Sequence, residues 1–312
     1  MSMQIKFGGY QGDNSVHTRG ARVFCEALAR ISNGEIEVDF LQNIVEGGRK
    51  ASDLLSATES GELDGCYFSS SYLAGRVPEL ALFDQHFAVP DRRRAYGVLD
   101  GSLGARLAAE VSEATGFRVM GYWDNGLRHI SSVATAFRSP ADCQKMKIRT
   151  LASDDHQRVF RALGFSPMAI DVRDLPAAVA DGTVDAQENP LTNIYNFGLH
   201  NTHRVITLTG HLLGVAPVLF NKATVDGWSE NVREQVTAAL QEATRAQRRF
   251  AEEDDEICSK ALLAEGVTLV DLTADERAGL VEATKSEVDK TRSRFSQELI
   301  DLFEADLERL SA

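Results

Sequence analysis

The sequence predicts an α/β fold in two domains, on three observations. Strand-like and helix-like stretches alternate through most of the chain, the pattern of a mainly parallel sheet covered by helices. The 312-residue length suits two domains at about 100–200 residues each. A helical run starts at Ser229 and continues to about residue 263, long for a globular helix, which predicts that it crosses between domains.

Residues 4–7 open as a short strand that breaks at Gly8-Gly9. A helix follows, capped by Asn14 or Ser15, with Val16, Gly20, Val23, Phe24, Ala27, Leu28 and Ile31 at helical spacing and Asn33-Gly34 at its end. Residues 35–40 alternate strictly, with Ile36, Val38 and Phe40 on one face, a half-buried strand. A helix over 49–60 stops at Gly61, a strand covers 63–68, and one helix covers 91–115 up to Gly116. Strands follow at 117–123, 127–132 and 146–150. Residues 153–163 form a helix with Ser153 as cap and Asp154-Asp155 at its positive end. Then come a strand at 166–171, a helix at 175–180 ended by Gly182, and strands at 205–208 and 213–220. After the long helix, residues 273–286 and a run to about 310 are helical. The acidic stretch Glu252-Glu253-Asp254-Asp255-Glu256 reads as a solvated helix face.

Composition excludes several classes. Hydrophobic residues make up 43% and charged residues 25%, so the chain buries a sizeable core and is neither disordered nor a coiled coil throughout. Net charge is −13, from 33 Lys+Arg against 46 Asp+Glu, which disfavours nucleic acid as a partner. No apolar run reaches the ~18 residues of a membrane span. The start, Met1-Ser2-Met3-Gln4-Ile5, leads almost directly into strand-like sequence without the features of a signal peptide. Either a cytoplasmic chain or a mature form with a supplied start Met fits that. Cys25, Cys66, Cys143 and Cys258 are widely spaced, so free thiols rather than a disulfide framework are expected.

The common catalytic signatures are missing. Gly8-Gly9-Tyr10-Gln11-Gly12 lacks dinucleotide-binding spacing, and there is no P-loop, nucleophile elbow or H-E-x-x-H. His200, His203 and His211 cluster in sequence, but they read better as surface or hinge histidines than as metal ligands. No metal and no cofactor is expected.

Two arginines carry the signal. Arg128 lies just past the strand 117–123, and Arg149 ends the strand 146–150. Ligands of α/β sheets bind outside the carboxyl ends of strands, and a guanidinium there offers a planar fork that matches a carboxylate. The alternative for either arginine is a salt bridge to a nearby Asp or Glu. Asn189, in Gln187-Glu188-Asn189-Pro190, holds an amide that can donate to a ligand oxygen and accept from a hydroxyl. Its alternative is plain Asn-Pro turn chemistry.

The runs Gly121-Tyr122-Trp123-Asp124-Asn125-Gly126-Leu127-Arg128-His129, Ser139-Pro140-Ala141-Asp142 leading into Lys147-Ile148-Arg149-Thr150, and Gly182-Thr183-Val184-Asp185-Ala186-Gln187-Glu188-Asn189-Pro190 occur in order, with Asn221-Lys222 after them. This set resembles the DctP-type solute-binding subunit of tripartite ATP-independent periplasmic (TRAP) transporters, over essentially the whole chain. The resemblance implies a two-domain periplasmic-binding-protein-like α/β fold, with a ligand cleft between the domains and the long helix spanning both. The domains are then 1–124 plus 213–250, and 125–212 plus 251–312. It also implies an organic acid whose carboxylate pairs with Arg149. Arg128 and Asn189 match further ligand-facing positions, and His17, Tyr67, Ser69 and Ser70 match segments lining the other side. Trp123 reads equally as a cleft wall and as a core or hinge aromatic. Pro176, Cys143, Lys145 and Ala186 depart from the usual pattern near these positions.

The expectation is therefore a periplasmic binding protein and not an enzyme. It captures a hydroxy, keto or sugar acid by arginine pairing and domain closure, as a monomer, and delivers it to TRAP permease subunits. A dicarboxylate fits if Arg128 takes a second carboxylate. The competing readings are a carboxylate-anchoring enzyme using His17, His129 or Glu188, which turnover of the bound acid would reveal, and a ligand-sensing module, which an adjacent kinase gene would favour.

Overall fold

The computed structural model describes residues 2–89 and 91–309. In chain order the elements are β1 (Met3–Gly8), α1 (Val16–Ile31), β2 (Ile36–Leu41), α2 (Asp53–Glu59), β3 (Gly65–Tyr67), α3 (Arg92–Leu99), α4 (Ser102–Ala114), β4 (Phe117–Ser132), β5 (Lys147–Thr150) and α5 (Asp154–Ala162). They continue as β6 (Ser166–Ala169), α6 (Leu175–Ala180), β7 (Ala186–Pro190), α7 (Leu191–Asn196), β8 (Val205–Asn221), α8 (Lys222–Gly227), α9 (Glu230–Ala264), β9 (Thr268–Val270), α10 (Ala274–Arg292) and α11 (Gln297–Glu308). Among the described residues no helix is long and apolar enough to cross a membrane.

The chain divides into two compact units. The first comprises Met1–Ser69, Arg106–Asn125 and Val215–Glu253. In it β1 pairs in parallel with β2 and β3, and β3 pairs antiparallel with β8, with Cys66 opposite Leu219. Ile5 and Phe7 alternate inward from β1 and are fully buried, as period-two patterning requires. Phe7 packs edge-on to Phe24 of α1 at 5.5 Å between ring centroids, and Trp123 and Phe220 complete this core. The Ser15 hydroxyl caps α1 by accepting from the His17 amide at 3.1 Å. Gly20 sits on the inward stripe because α9 crosses there: a Cβ would come within 2.8 Å of the Gln247 side chain.

The second unit comprises Ser70–Ala105, Gly126–Gly214 and Asp254–Ala312. Here β5 pairs in parallel with β6 and β7, and β7 pairs antiparallel with β4. Phe137, Ile148, Phe160 and Phe165 form its core beneath α5 and α10. Ser153 caps α5, and Thr273 with Glu276 forms a capping box on α10. A second apolar cluster gathers Leu175, Ile194, Ile206 and Leu262.

Several elements differ from the sequence reading. The single helix expected over 91–115 is two, α3 and α4. Asp306 of α11 supplies the reason: its Oδ2 accepts the Leu103 amide at 2.9 Å, capping α4 from a distant part of the chain. The same contact, with the Arg309 guanidinium donating to the Gly97 carbonyl at 3.0 Å, seats residues 70–105 in the second unit. The strands at 117–123 and 127–132 are one strand, β4, continued through Gly126 at φ +86°. Those at 205–208 and 213–220 likewise join as β8 through Gly210 at φ +49°. The helix expected over 49–60 shortens to α2. In the acidic stretch Asp254 is buried, and Asp255 pairs with Arg92 at 2.6 Å, so the stretch is not simply a solvated face.

Candidate functional site

In the second unit, the β4–β7 register places Arg128 opposite Pro190 and Ile130 opposite Glu188. Arg128 and Glu188 are therefore diagonal neighbours on one face, within reach of long side chains. They meet. Arg128 Nε donates to Glu188 Oε2, while Nη2 donates to Oε1 at 2.8 Å and to the Glu188 carbonyl at 2.6 Å. Both side chains are sealed from solvent, 1% and 0% exposed. Burial pushes the Glu188 carboxyl up, but the guanidinium beside it and the His211 hydrogen bond hold it well below the usual carboxylate range. For Arg128 the salt-bridge alternative is the one realised, with its Nε and Nη2 engaged within the protein.

Arg149 differs. It ends β5 opposite Gln187 and is 1% exposed. Its Nε donates to the Ile170 carbonyl at 2.8 Å. Among the described residues no carboxylate lies within 4.0 Å of its guanidinium. Burial lowers its pKa, while Tyr72, Glu188 and Asp171 act the other way and favour the charge. Arg149 is thus a buried cation with no partnering anion.

Asn189 lies in a polar chain next to this cation. Its Oδ1 accepts from Arg128 at 3.3 Å, and its Nδ2 donates to Gln187 Oε1 at 2.6 Å. Gln187 donates onward to Ser131 Oγ at 2.5 Å, and the Ser131 hydroxyl and His203 Nδ1 are hydrogen-bonded at 2.9 Å. Asn189 retains one amide hydrogen for another acceptor.

All seven histidines are buried, including His200, His203 and His211, which the sequence suggests as surface or hinge residues. His211 Nε2 faces Glu188 Oε2 at 3.4 Å, and its Nδ1 accepts from Thr209 at 2.7 Å. His86 stacks on His211 at 5.4 Å and meets His156 edge-on at 4.8 Å. His156 Nε2 stands 3.8 Å from Asp84 Oδ2, beyond hydrogen-bond reach, and Ser70 Oγ lies 3.4 Å from Asp84 Oδ1. His129 Nδ1 accepts from the Gly210 amide at 3.1 Å, so it is held as a neutral ring rather than poised as a base. Among the described residues no group of His, Cys, Asp and Glu could hold a metal ion.

In the first unit, His17 stacks on Tyr67 at 4.9 Å and 14°, and Trp123 lies 6.2 Å from the same ring. Both His17 ring nitrogens are buried without a partner. Tyr67 and Trp123 are fully buried core residues, with Trp123 Nε1 donating to Thr244 at 3.1 Å. Ser69 is buried in this unit and Ser70 in the other. The structure therefore gathers Arg128, Asn189 and Arg149 around β7, and His17, Tyr67 and Trp123 around the start of α1. Sequence reasoning missed Asp84, His86 and His156. Their only trace is that Asp84-Gln85-His86 interrupts an otherwise apolar stretch over 80–89, while His156 stands among polar neighbours.

A buried guanidinium that faces no carboxylate among the described residues is suited to receive a small anion. A family model described as bacterial extracellular solute-binding protein, family 7 (DctP), matches residues 7–294, and the chain belongs to this family. It is 26% identical over 269 residues to the 2,3-diketo-L-gulonate-binding periplasmic protein YiaO of Escherichia coli, covering 86% of this chain and 81% of that one. It is 32% identical over 277 residues to protein y4mM of Sinorhizobium fredii, covering 88% of this chain but spanning only 50% of that longer relative. Among solved structures it matches a TRAP periplasmic solute-binding protein from Sulfurospirillum deleyianum with bound succinate. That match has a TM-score of 0.90 and 27% identity, and covers 98% and 99% of the two chains. The expected two-domain periplasmic-binding-protein-like α/β fold and TRAP resemblance stand, and the family is one of binding proteins rather than enzymes.

Proposed function

We propose that this chain captures a small organic acid carrying one carboxylate, with hydroxyl, keto or sugar-acid character, on Arg149. It works in the periplasm and delivers that acid to TRAP permease subunits. The observation that carries the reading is the Arg149 guanidinium, buried and without a carboxylate partner. A ligand carboxylate would supply the missing charge through paired charge-assisted bonds, each contributing ~1.5–3 kcal/mol. Asn189 would add its remaining amide hydrogen, and His17 is the proposed ligand-facing residue of the first unit, with Tyr67 and Trp123 holding its ring. Arg128 supports Asn189 and its charge is already balanced by Glu188, which favours monocarboxylates over the dicarboxylate alternative.

A calorimetric or thermal-shift screen of organic acids tests this. Ligand at ~100 times its Kd stabilises the protein by ~2.7 kcal/mol. Arg149→Ala should cost two to four decades of affinity, roughly, because it removes the only charge partner of a buried anion. Hits that keep their affinity in Arg149→Ala would overturn the assignment.

A further inference from the structure

Asp84, His86 and His156 are each at most 5% exposed and stand together in the second unit. Asp84 Oδ2, His86 Nε2 and both ring nitrogens of His156 are buried with no hydrogen-bond partner. They are neighbours: Asp84 Oδ2 is 3.8 Å from His156 Nε2, and the two imidazoles are 4.8 Å apart. Phe160 walls the His86 ring at 5.6 Å, while His211 stacks on it and passes the contact to Glu188. The Arg128–Glu188 pair is electrostatically coupled both to His86 and to Arg149. Native interiors rarely leave several adjacent polar atoms unpaired, since each loses its water contacts and gains nothing. Such a group exists to be completed by something that enters.

Its chemistry states what enters. Asp84 Oδ2 accepts, His156 offers one donor and one acceptor, and His86 Nε2 offers one or the other according to its tautomer. A hydroxyl, which donates once and accepts, satisfies both kinds, and a carbonyl satisfies an imidazole donor. A second carboxylate would meet Asp84 without a cation to balance it, because Glu188 already balances the Arg128 charge. A bare alkyl chain would leave every orphan atom unpaired.

We propose that Asp84, His86 and His156 form a subsite for uncharged hydroxyl or carbonyl groups of the ligand, which selects hydroxylated or keto monocarboxylates against dicarboxylates and unsubstituted acids. This rests on the carboxylate being held by Arg149.

Calorimetry on the full chain with acids of equal chain length decides it: gluconate and galacturonate, against hexanoate and adipate. At least one hydroxylated acid should bind ~100-fold or more tightly than hexanoate and adipate, since a site built for hydroxyls strongly rejects analogues lacking them. Asp84→Asn should weaken that acid by about tenfold or more while leaving the residual hexanoate affinity unchanged. Should Asp84→Asn fail to fold, His86→Phe asks the same question, because the stack survives and only the ring nitrogens are lost. Equal binding of adipate or hexanoate, no binding of either hydroxylated acid at about 1 mM, or full affinity in both variants overturns the subsite. Arg149→Ala is measured alongside. If it abolishes binding while the subsite variants do not, the subsite fails and the arginine reading stands; if no variant matters, both fail.

Discussion

Arg128 and Glu188 hold each other in a fully buried fork-to-carboxylate pair, with Nη2 and Oε1 2.8 Å apart. That pair sets two similarly placed arginines apart in how their charge is balanced. Among the described residues Arg128 has an internal anion and Arg149 has no carboxylate within 4.0 Å, so on the proposed reading one arginine supports the site and the other anchors the ligand.

Breaking the pair should be costly. Glu188→Ala leaves the Arg128 charge buried and uncompensated, and is expected to destabilise the protein by ~3–5 kcal/mol. The double substitution Arg128→Met with Glu188→Leu should recover most of that. Urea unfolding of the three proteins checks it, and a double variant no better than the single one would count against the pair.

Arg149 should carry the opposite balance. Arg149→Met removes a buried cation that lacks a partner, so the ligand-free protein is expected to gain ~1–2 kcal/mol of stability while losing acid binding. A melting temperature that rises without ligand and no longer responds to ligand is the expected signature. A lower melting temperature would mean that Arg149 is already satisfied within the fold.

Acid should unfold this protein early. Burial depresses His17 and His203 to about 4 and His129 to about 3, from an ordinary 6.5, and also lowers His86 and His211. Each folded pKa lies below its unfolded value, so the unfolded chain binds more protons once the pH falls below 6.5. Stability is full above that pH and falls as the pH drops toward the folded values, by about 1.4 kcal/mol per pH unit for each titrating group. Glu188, also depressed, adds a loss of the same sign at lower pH. The urea midpoint should therefore drop steeply between about pH 7 and pH 5. A flat profile over that range would show that the histidines are not buried as neutral rings.

Gly126 should not tolerate a side chain. Its φ is +86°, and a Cβ would come within 2.3 Å of the Pro190 ring, next to Asn189 and Glu188. Gly126→Ala is expected to cost ~1–3 kcal/mol and to weaken acid binding by displacing β7. Calorimetric unfolding together with ligand titration would separate the two effects.

Much of the fold was legible because local chemistry dictated it. The alternation over 35–40, Ser15 and Ser153 as caps, Gly20 on the inward face of α1 and the exceptional length of α9 all follow from neighbours in the chain. The break between α3 and α4 was not legible, because its cap, Asp306, lies some two hundred positions away in sequence. The continuity of β4 and β8 was hidden for a related reason: a glycine that normally ends a strand continues one when flanking strands hold it at positive φ.

The sequence by itself determined the α/β class, the ordered motifs of a solute-binding family and the two arginines worth weighing. Tertiary structure decided how the charge of each is balanced. Charge satisfaction depends on what stands opposite a side chain, and only the β4–β7 register brings Glu188 to Arg128 while leaving Arg149 without an anion. The same holds for the histidines: a ring nitrogen's partner, or its lack of one, is a property of packing that no one-dimensional pattern records.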